Sequence, residues 1–510
     1  MELLPPLDAD HPEPLYSQLY RHIRGEIEAA RLAPGSRLPS VRKLAAHLGI
    51  SRTPVEDAYR QLIAEGYAES RPRSGIAVLP YEPDFTSVRS VSASGGIGGG
   101  GAAARREEAR PLPAIAASEA SLPAESPREY GRAARERIDF SYGDVDLAHF
   151  PFPLWKKLLG GCFAPEHRDL FRYGDPLGEP GFREALSDYA YRARAVVCPP
   201  DRIVVGAGTH HTMEQICRLL QRTPYGASLT AMAVERSMSD GIAAIMRQYG
   251  YRLIPLRLES DGIDIEELYR SGAKIVYTTP SHQFPYGMVM SIGKRRRLLN
   301  WAAETGGLIV EDDYDGEFRY AGMPIPSLQG MDAAASRVAY MGTFSRALAP
   351  AFRLSYAALP PDLAAAARTA LHPFDRLASP LHQKTLELFM TGGHMQRHIR
   401  KMRSVYQRKQ AALLQAAKRR LEPDFRVSGG PAGLHVLLEP ADGRDEAELI
   451  RLADEAGVRV YPVSVYRVEP QPDEPSAVLL GFGGLDERQI DEGIRRLADA
   501  WMRPTAESEP

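Results

Sequence analysis

Several stretches of this chain carry residues that could do chemistry, and they share one layout. In GLIVEDDYDGEF, Gly307 to Phe318, the carboxylates Glu311, Asp312, Asp313 and Asp315 follow an apolar run. RVAYMGTFSRALAPAFRLSY ends a second run with Thr343, Ser345 and the two arginines Arg346 and Arg353. A guanidinium is a fork-shaped donor suited to phosphate or carboxylate. VGAGTHHTMEQI, Val205 to Ile216, turns on glycines and opens a helix near Thr209. Backbone N–H groups and the helix dipole at such a start suit a phosphate. TTPSHQFPYGM, Thr278 to Met288, adds a polar, proline-rich loop, and RYGDPLGEPGFREAL begins with Arg172 and Tyr173. One glycine turn alone says little. Several polar segments, each at the end of an apolar run, point to one shared ligand site outside the strand ends of an open sheet.

Blander readings apply to single pieces. EDDYDGE starts like a calcium loop, but the twelfth position is Gly322 where a glutamate is needed. His210-His211 has no third metal ligand at suitable spacing and HExxH is absent, so no metal site is expected. Asp312 and Arg353 also fit a structural ion pair.

The elements that must position these residues are short apolar runs such as RIVVGAG, AKIVYTT and GLIVED, alternating with longer helical patterns from about residue 137 to 505. That alternation predicts an α/β domain with a mostly parallel sheet. Residues 81–136 contain GGIGGGG and PLPAIAASEASLPAESP and read as a flexible linker, because glycine and small polar residues bury too little apolar area to offset chain entropy. Residues 1–80 form a third zone. Leu15, Leu19, Ile23 and Ile27 make one helical stripe. Ser40 is a plausible cap for a short helix ending near Gly49. Ser51 opens another, with Val55, Tyr59 and Leu62 or Ile63 facing inward. Two short helices joined by a glycine-containing turn form a helix-turn-helix pattern. AESRPRSGIAVLP then reads as a hairpin with Gly75 at its tip, a wing. Residues 36–55 hold Arg37, Arg42, Lys43 and Arg52 and no acidic residue, which suits docking on DNA phosphates. A helical hairpin with a solvated basic face fits the same pattern.

The chain has 510 residues, 44% hydrophobic and 25% charged, with a net charge of -2, so its overall charge does not mark it as a nucleic-acid binder. The three cysteines, Cys162, Cys198 and Cys217, lack CxxC spacing and fit a reduced, cytoplasmic protein. The acidic, proline-rich start is not that of a signal peptide, and no apolar run is long enough to span a membrane.

The segment from Leu15 to Val78 resembles the winged-helix DNA-binding domain of GntR-type regulators, in PLYSQLYRHIRGEI, APGSRLPSVRKLAAHLGISRTPVEDAYRQLIAEGY and SRPRSGIAV. The resemblance implies a DNA surface formed by Ser40, Arg42, Arg52 and Thr53, with Ser74 and Gly75 of the wing. From about 138 to 500 the chain resembles the fold-type I aminotransferase domain, in DFSYGDVDLAHFPFPLW, YGDPLGEPGFREAL, TTPSHQFPYG, EDDYDGEFRY and the loop GTFS-x-ALAPAFRLSY. Joined to the winged helix through a long linker, these parts resemble the MocR family of transcriptional regulators. The fold class implied is multidomain: a mostly α winged helix-turn-helix, then an α/β pyridoxal-phosphate-dependent type of domain with a smaller C-terminal subdomain from about residue 400.

The resemblance also implies roles. Asp312 would pair with the pyridine nitrogen of pyridoxal phosphate and Tyr314 with its ring hydroxyl. Gly208, Thr209, Thr343 and Arg353 would bind the phosphate. Tyr173 would reach the phosphate of the partner subunit, implying a homodimer, and His282 and Gln283 would line the pocket beside the ring. The sequence also departs from the family pattern. The family's Schiff-base lysine falls at Arg346, and no lysine lies between Lys294 and Lys384. A guanidinium keeps its proton in proteins, so it neither bonds an aldehyde nor acts as a base. Where a ring-stacking aromatic is usual the sequence gives Ser239, or Met238 in a register one residue earlier. Where the family often has an arginine for a substrate carboxylate it gives Leu479, with Arg467 as a stand-in. The expected function is a regulator that binds double-stranded operator DNA as a homodimer and senses pyridoxal phosphate or a related amino compound without a lysine Schiff base. The alternatives are an aminotransferase carrying a DNA-binding module, against which Arg346 argues, and a regulator whose large domain only dimerises.

Overall fold

The computed structural model describes residues 7–8, 14–29, 31–64, 67–71, 75–79, 137–223, 231–320, 325–332, 334–372, 377–430, 432–469 and 476–502. The expected linker over 81–136 and the wing residue Ser74 lie outside them.

The N-terminal part is built on α1 (Leu15–Glu28), α2 (Val41–Leu48), α3 (Arg52–Ala64), β1 (Ala68–Arg71) and β2 (Gly75–Val78). Leu19, Ile23 and Ile27 recur every fourth residue on α1 and are buried. The Ser40 hydroxyl accepts a hydrogen bond from the Lys43 amide at 3.3 Å, which satisfies one orphan donor at the start of α2. Gly49 ends that helix at φ 65°, a left-handed conformation that costs glycine little. On α3, Val55, Tyr59 and Leu62 face the core, while Ile63 is only partly buried. The Tyr59 hydroxyl donates to the Pro39 carbonyl at 2.8 Å and so ties α3 back to the start of α2. β1 and β2 pair antiparallel, with Ala68 opposite Val78 and Arg71 opposite Gly75.

Among the described residues, this unit meets the large domain around Glu28, and Met331 packs on the same apolar core. Glu28 of α1 accepts from Arg24 at 2.8 Å, from the Tyr67 hydroxyl at 2.7 Å and from Arg296 at 3.1 Å. Arg296 belongs to the helix Ile292–Thr305, whose first residue, Ile292, is buried in the winged-helix core.

The large domain centres on a seven-stranded sheet, in the order Ile203–Gly206, Ser355–Ala358, Val338–Thr343, Leu308–Asp313, Ile275–Thr278, Ala231–Glu235 and Arg252–Leu256. The last five run parallel; Ser355–Ala358 runs antiparallel to both its neighbours. Side chains alternate across a strand. Leu308 and Val310 therefore enter one apolar cluster and Ile309 another, and both faces of the sheet are covered. A four-stranded antiparallel sheet, Phe425–Ser428, His435–Pro440, Val478–Gly481 and Tyr461–Pro462, follows the long helix His394–Arg420. Among the described residues no helix is long and apolar enough to cross a membrane.

Candidate functional site

The parallel strands bring their C-terminal ends side by side: Asp312 lies opposite Met341, and Glu311 opposite Thr278. A cavity of about 320 Å³ opens there, and Thr209, Asp312, Tyr314, Thr343, Arg346 and Arg353 line it. Residues more than a hundred positions apart thus meet because the sheet places their strands together.

Of the five carboxylates in the acidic run, only Asp312 faces this cavity, and Glu317 accepts from the Tyr189 hydroxyl at 2.7 Å. Glu311, on the opposite side of the strand, accepts from the amides of Leu328 and Gln329 at 2.9 and 3.0 Å. Asp313 accepts from the Arg194 guanidinium and from the Tyr340 hydroxyl. Asp315 lies against His282. Asp312 accepts from the Tyr277 hydroxyl at 2.7 Å. Burial pushes its carboxyl up to about 7; the Tyr277 bond opposes that rise, while Asp313, Glu235 and Asp315 reinforce it. A carboxyl poised in this way gains from a protonated ring nitrogen or another cationic donor, which restores the charge that burial disfavours.

At the head of the helix Thr209–Leu220, Gly208 has φ 95°. A side chain there would be strained, and its Cβ would lie 2.4 Å from Nη2 of Arg353. Arg353 itself is left-handed, with φ 48°. The backbone thus leaves room for one guanidinium against the N–H groups that start a helix. Thr343 and Ser345 add hydroxyls 3.1 Å apart on the neighbouring loop. Two hydroxyls, a guanidinium and a helix start form a cradle for a phosphate-sized anion.

Arg346, also on the lining, is half-buried. Its guanidinium lies 3.9 Å from the centroid of the Tyr142 ring, and Nη1 donates to the Tyr142 carbonyl oxygen. Among the described residues no carboxylate pairs with it. Tyr142 packs in turn on Phe284, with ring centroids 4.9 Å apart, and Phe284 packs on Tyr466 at 4.6 Å. All three aromatics line the cavity. Sequence reasoning missed them as site residues, although Tyr142 and Phe284 sit inside the motifs that drew attention; no spacing rule links residue 142 to residue 346.

Three sequence expectations change. His282 does not line the cavity beside a ring. It stands behind Tyr314, 2% exposed, with Nδ1 2.9 Å from both the Tyr314 hydroxyl and an Asp315 oxygen. The buried Asp315 carboxylate draws the imidazole inward. Gln283 likewise turns away and donates to the Ser237 carbonyl at 2.8 Å. Arg467 is not among the lining residues, and Leu479 is buried in an apolar cluster with Phe284 and Val463. Of the two registers read at the stacking position, Ser239 lines the cavity and Met238 is core. Tyr173 lies outside its own chain's cavity and is 76% exposed. His210 lines the cavity, while His211 Nδ1 accepts from the Ala207 amide at 2.9 Å. His435 packs edge-on to Tyr142, and burial, then His282, push its imidazole down to about 3, so it stays neutral.

On the winged helix, Ser40, Arg42, Arg52 and Thr53 are exposed at the starts of α2 and α3, and Gly75 begins β2 at φ 83°. The structure therefore presents these candidate DNA residues on the surface, at the ends of two consecutive helices.

A winged helix and an aminotransferase-type domain on one chain define a two-part transcriptional regulator. The model of bacterial regulatory proteins of the gntR family matches residues 15–78, and that of aminotransferase class I and II matches residues 135–497. The chain belongs to the MocR family, in which these two domains are fused. It is 36% identical to the HTH-type transcriptional regulator YdeL of Bacillus subtilis, over 98% of this chain and 100% of that one. It is 32% identical to the probable rhizopine catabolism regulatory protein MocR of Rhizobium meliloti, over 97% of this chain and 95% of that one. Among solved structures, the kynurenine aminotransferase of Pyrococcus horikoshii, solved with PMP, superposes with a TM-score of 0.65 at 25% identity. That match covers 74% of this chain and 94% of the other.

Proposed function

We propose that this transcriptional regulator holds pyridoxal phosphate in the strand-end cavity without a covalent bond, and that its occupancy sets how the protein acts on DNA. The observation that carries the reading is the meeting, in one cavity, of the Gly208–Arg353 cradle with the buried carboxyl of Asp312. Gly208, Thr209, Thr343 and Arg353 would hold the phosphate, Asp312 the ring nitrogen and Tyr314 the ring hydroxyl. The bound group would supply an electron-withdrawing ring and an aldehyde reactive toward amines. The chain's own part is to bind, orient and keep a proton on the ring nitrogen. Arg346, where a lysine would be needed, cannot make the covalent bond, which favours a sensor over a transaminase.

Arg42, Arg52 and Thr53, with the wing around Ser74 and Gly75, would contact an operator in the cytoplasm. Ser40 would position them by capping α2. A homodimer would present two winged helices to paired half-sites, with the exposed Tyr173 reaching the partner's cavity. A small-molecule effector acts only through different affinity for two arrangements of the dimer.

Absorbance titration of the purified protein with pyridoxal phosphate tests the reading. Saturable binding that Arg353→Ala and Asp312→Asn each weaken at least about tenfold supports it. Equal affinity in all three proteins removes the cofactor from the account.

A further inference from the structure

We propose that Arg346 is an anion receptor, and that the ligand of this site is a phosphopyridoxyl amino acid whose free carboxylate meets that guanidinium. The inference rests on the reading of the cavity as a pyridoxal-phosphate site and adds the class of compound it selects.

Two guanidinium groups line the cavity, and they have different neighbours. Arg353 stands against Gly208 at the head of a helix. Arg346 lies over Tyr142, next to Phe284 and Tyr466. The first has the surroundings of a phosphate cradle. The second has an aromatic face and one backbone carbonyl, and no carboxylate pairs with it among the described residues. A half-buried cation with only these neighbours is incompletely compensated. Stacking occupies the face of a guanidinium, whereas its N–H donors lie in its plane. The guanidinium donates to the Tyr142 carbonyl and also engages the Tyr142 side chain; with five N–H donors it keeps capacity for an incoming oxyanion. Packing on Tyr142 also fixes the side chain before a ligand arrives, which lowers the entropy lost on binding.

The rest of the cavity narrows the choice. Leu479 is buried among apolar groups and offers nothing to a carboxylate, and Arg467 is not part of the lining. A ligand with anions at two separated points therefore finds both of its arginine partners in Arg353 and Arg346. A phosphorylated ring bearing an amine repels Arg346; the same ring bearing an amino acid pairs with it. Asp312 and the Tyr314 hydroxyl, on the same lining, suit the ring itself.

The test compares two stable probes that differ by one carboxylate. N-(5′-phosphopyridoxyl)-alanine carries it; N-(5′-phosphopyridoxyl)-ethylamine does not. Their affinities for the full-length chain are measured by isothermal titration calorimetry, beside pyridoxal phosphate itself. The alanine conjugate is expected to bind at least about tenfold tighter than the ethylamine conjugate, the range of a charge-assisted hydrogen bond. That preference is expected to vanish in Arg346→Ala and to persist in part in Arg346→Lys. Circular dichroism confirms that each variant is folded, and the comparison on the natural chain stands without them. Equal affinities for the two conjugates on the natural chain overturn the inference while pyridoxal phosphate binding leaves the underlying reading intact. A preference that survives in folded Arg346→Ala also overturns it. If none of the three compounds binds, the reading and the inference fail together.

Discussion

The guanidinium of Arg346 lies 3.9 Å over the ring of Tyr142, two residues separated by 204 positions in the chain. The contact holds a positive charge at the position that the family resemblance assigns to a covalent anchor. On the proposed reading, a cavity lined in this way would bind and release its ligand without trapping an aldehyde. For a regulator this matters, because a signal must be reversible to be read, and occupancy then follows ligand concentration by mass action.

The first prediction concerns pH. Burial raises the Asp312 carboxyl to about 7 in the folded chain, above the ordinary aspartate range near 4. Between these values the folded state holds a proton that the unfolded state has lost, so this residue's contribution to stability falls as pH rises from about 4 to about 7. Asp312→Asn cannot ionise. Unfolding by urea is expected to show the variant gaining on the natural protein by roughly 2–4 kcal/mol between pH 4 and pH 8. A constant difference across that range would show that Asp312 does not titrate there.

A second prediction uses the space at Gly208. Alanine at this position meets Arg353 at 2.4 Å and must adopt a φ of 95°. Strain of this kind costs about 1–3 kcal/mol, so the domain stays folded at a lower melting temperature. Because Arg353 is displaced, affinity for pyridoxal phosphate is expected to drop at least about tenfold by absorbance titration. Unchanged affinity would mean that the phosphate sits elsewhere.

On the DNA side, Arg42 and Arg52 are exposed at the starts of α2 and α3. Each phosphate contact contributes a slope of about -0.9 to the dependence of log affinity on log salt. The double variant Arg42→Ala, Arg52→Ala is expected to bind duplex DNA more weakly and with a slope shallower by about 2, measured by fluorescence anisotropy from low to moderate salt. A weaker affinity with the same slope would assign these arginines to folding of the domain.

Much of this architecture was legible in the sequence because its signals are local. Leu19, Ile23 and Ile27 report a helix by spacing, Ser40 and Gly49 mark its neighbour's ends, and GLIVED reads as a buried strand with acids at its tip. Which acid serves the site follows from strand alternation only once the cavity's side of the sheet is known. Asp312 and Glu311 are otherwise equivalent in the sequence. What lay outside local reading is the set of contacts made across the fold. Tyr142 comes from a loop after Ile138–Asp139 and reaches Arg346 through tertiary packing. His282 was expected at the cavity wall by resemblance, yet Asp315 holds it behind Tyr314. A charged partner three residues beyond Asp312 could have signalled that alternative.

The most direct test of the account is to mix the natural protein and Arg346→Lys each with pyridoxal phosphate, reduce with borohydride, and weigh the intact chains by mass spectrometry. Both proteins are expected to bind by absorbance, the natural chain to keep its own mass, and Arg346→Lys to gain one phosphopyridoxyl group at residue 346. A natural chain that acquires the group in the cavity would contradict the proposed reading, because some other amine would then be doing what Arg346 cannot.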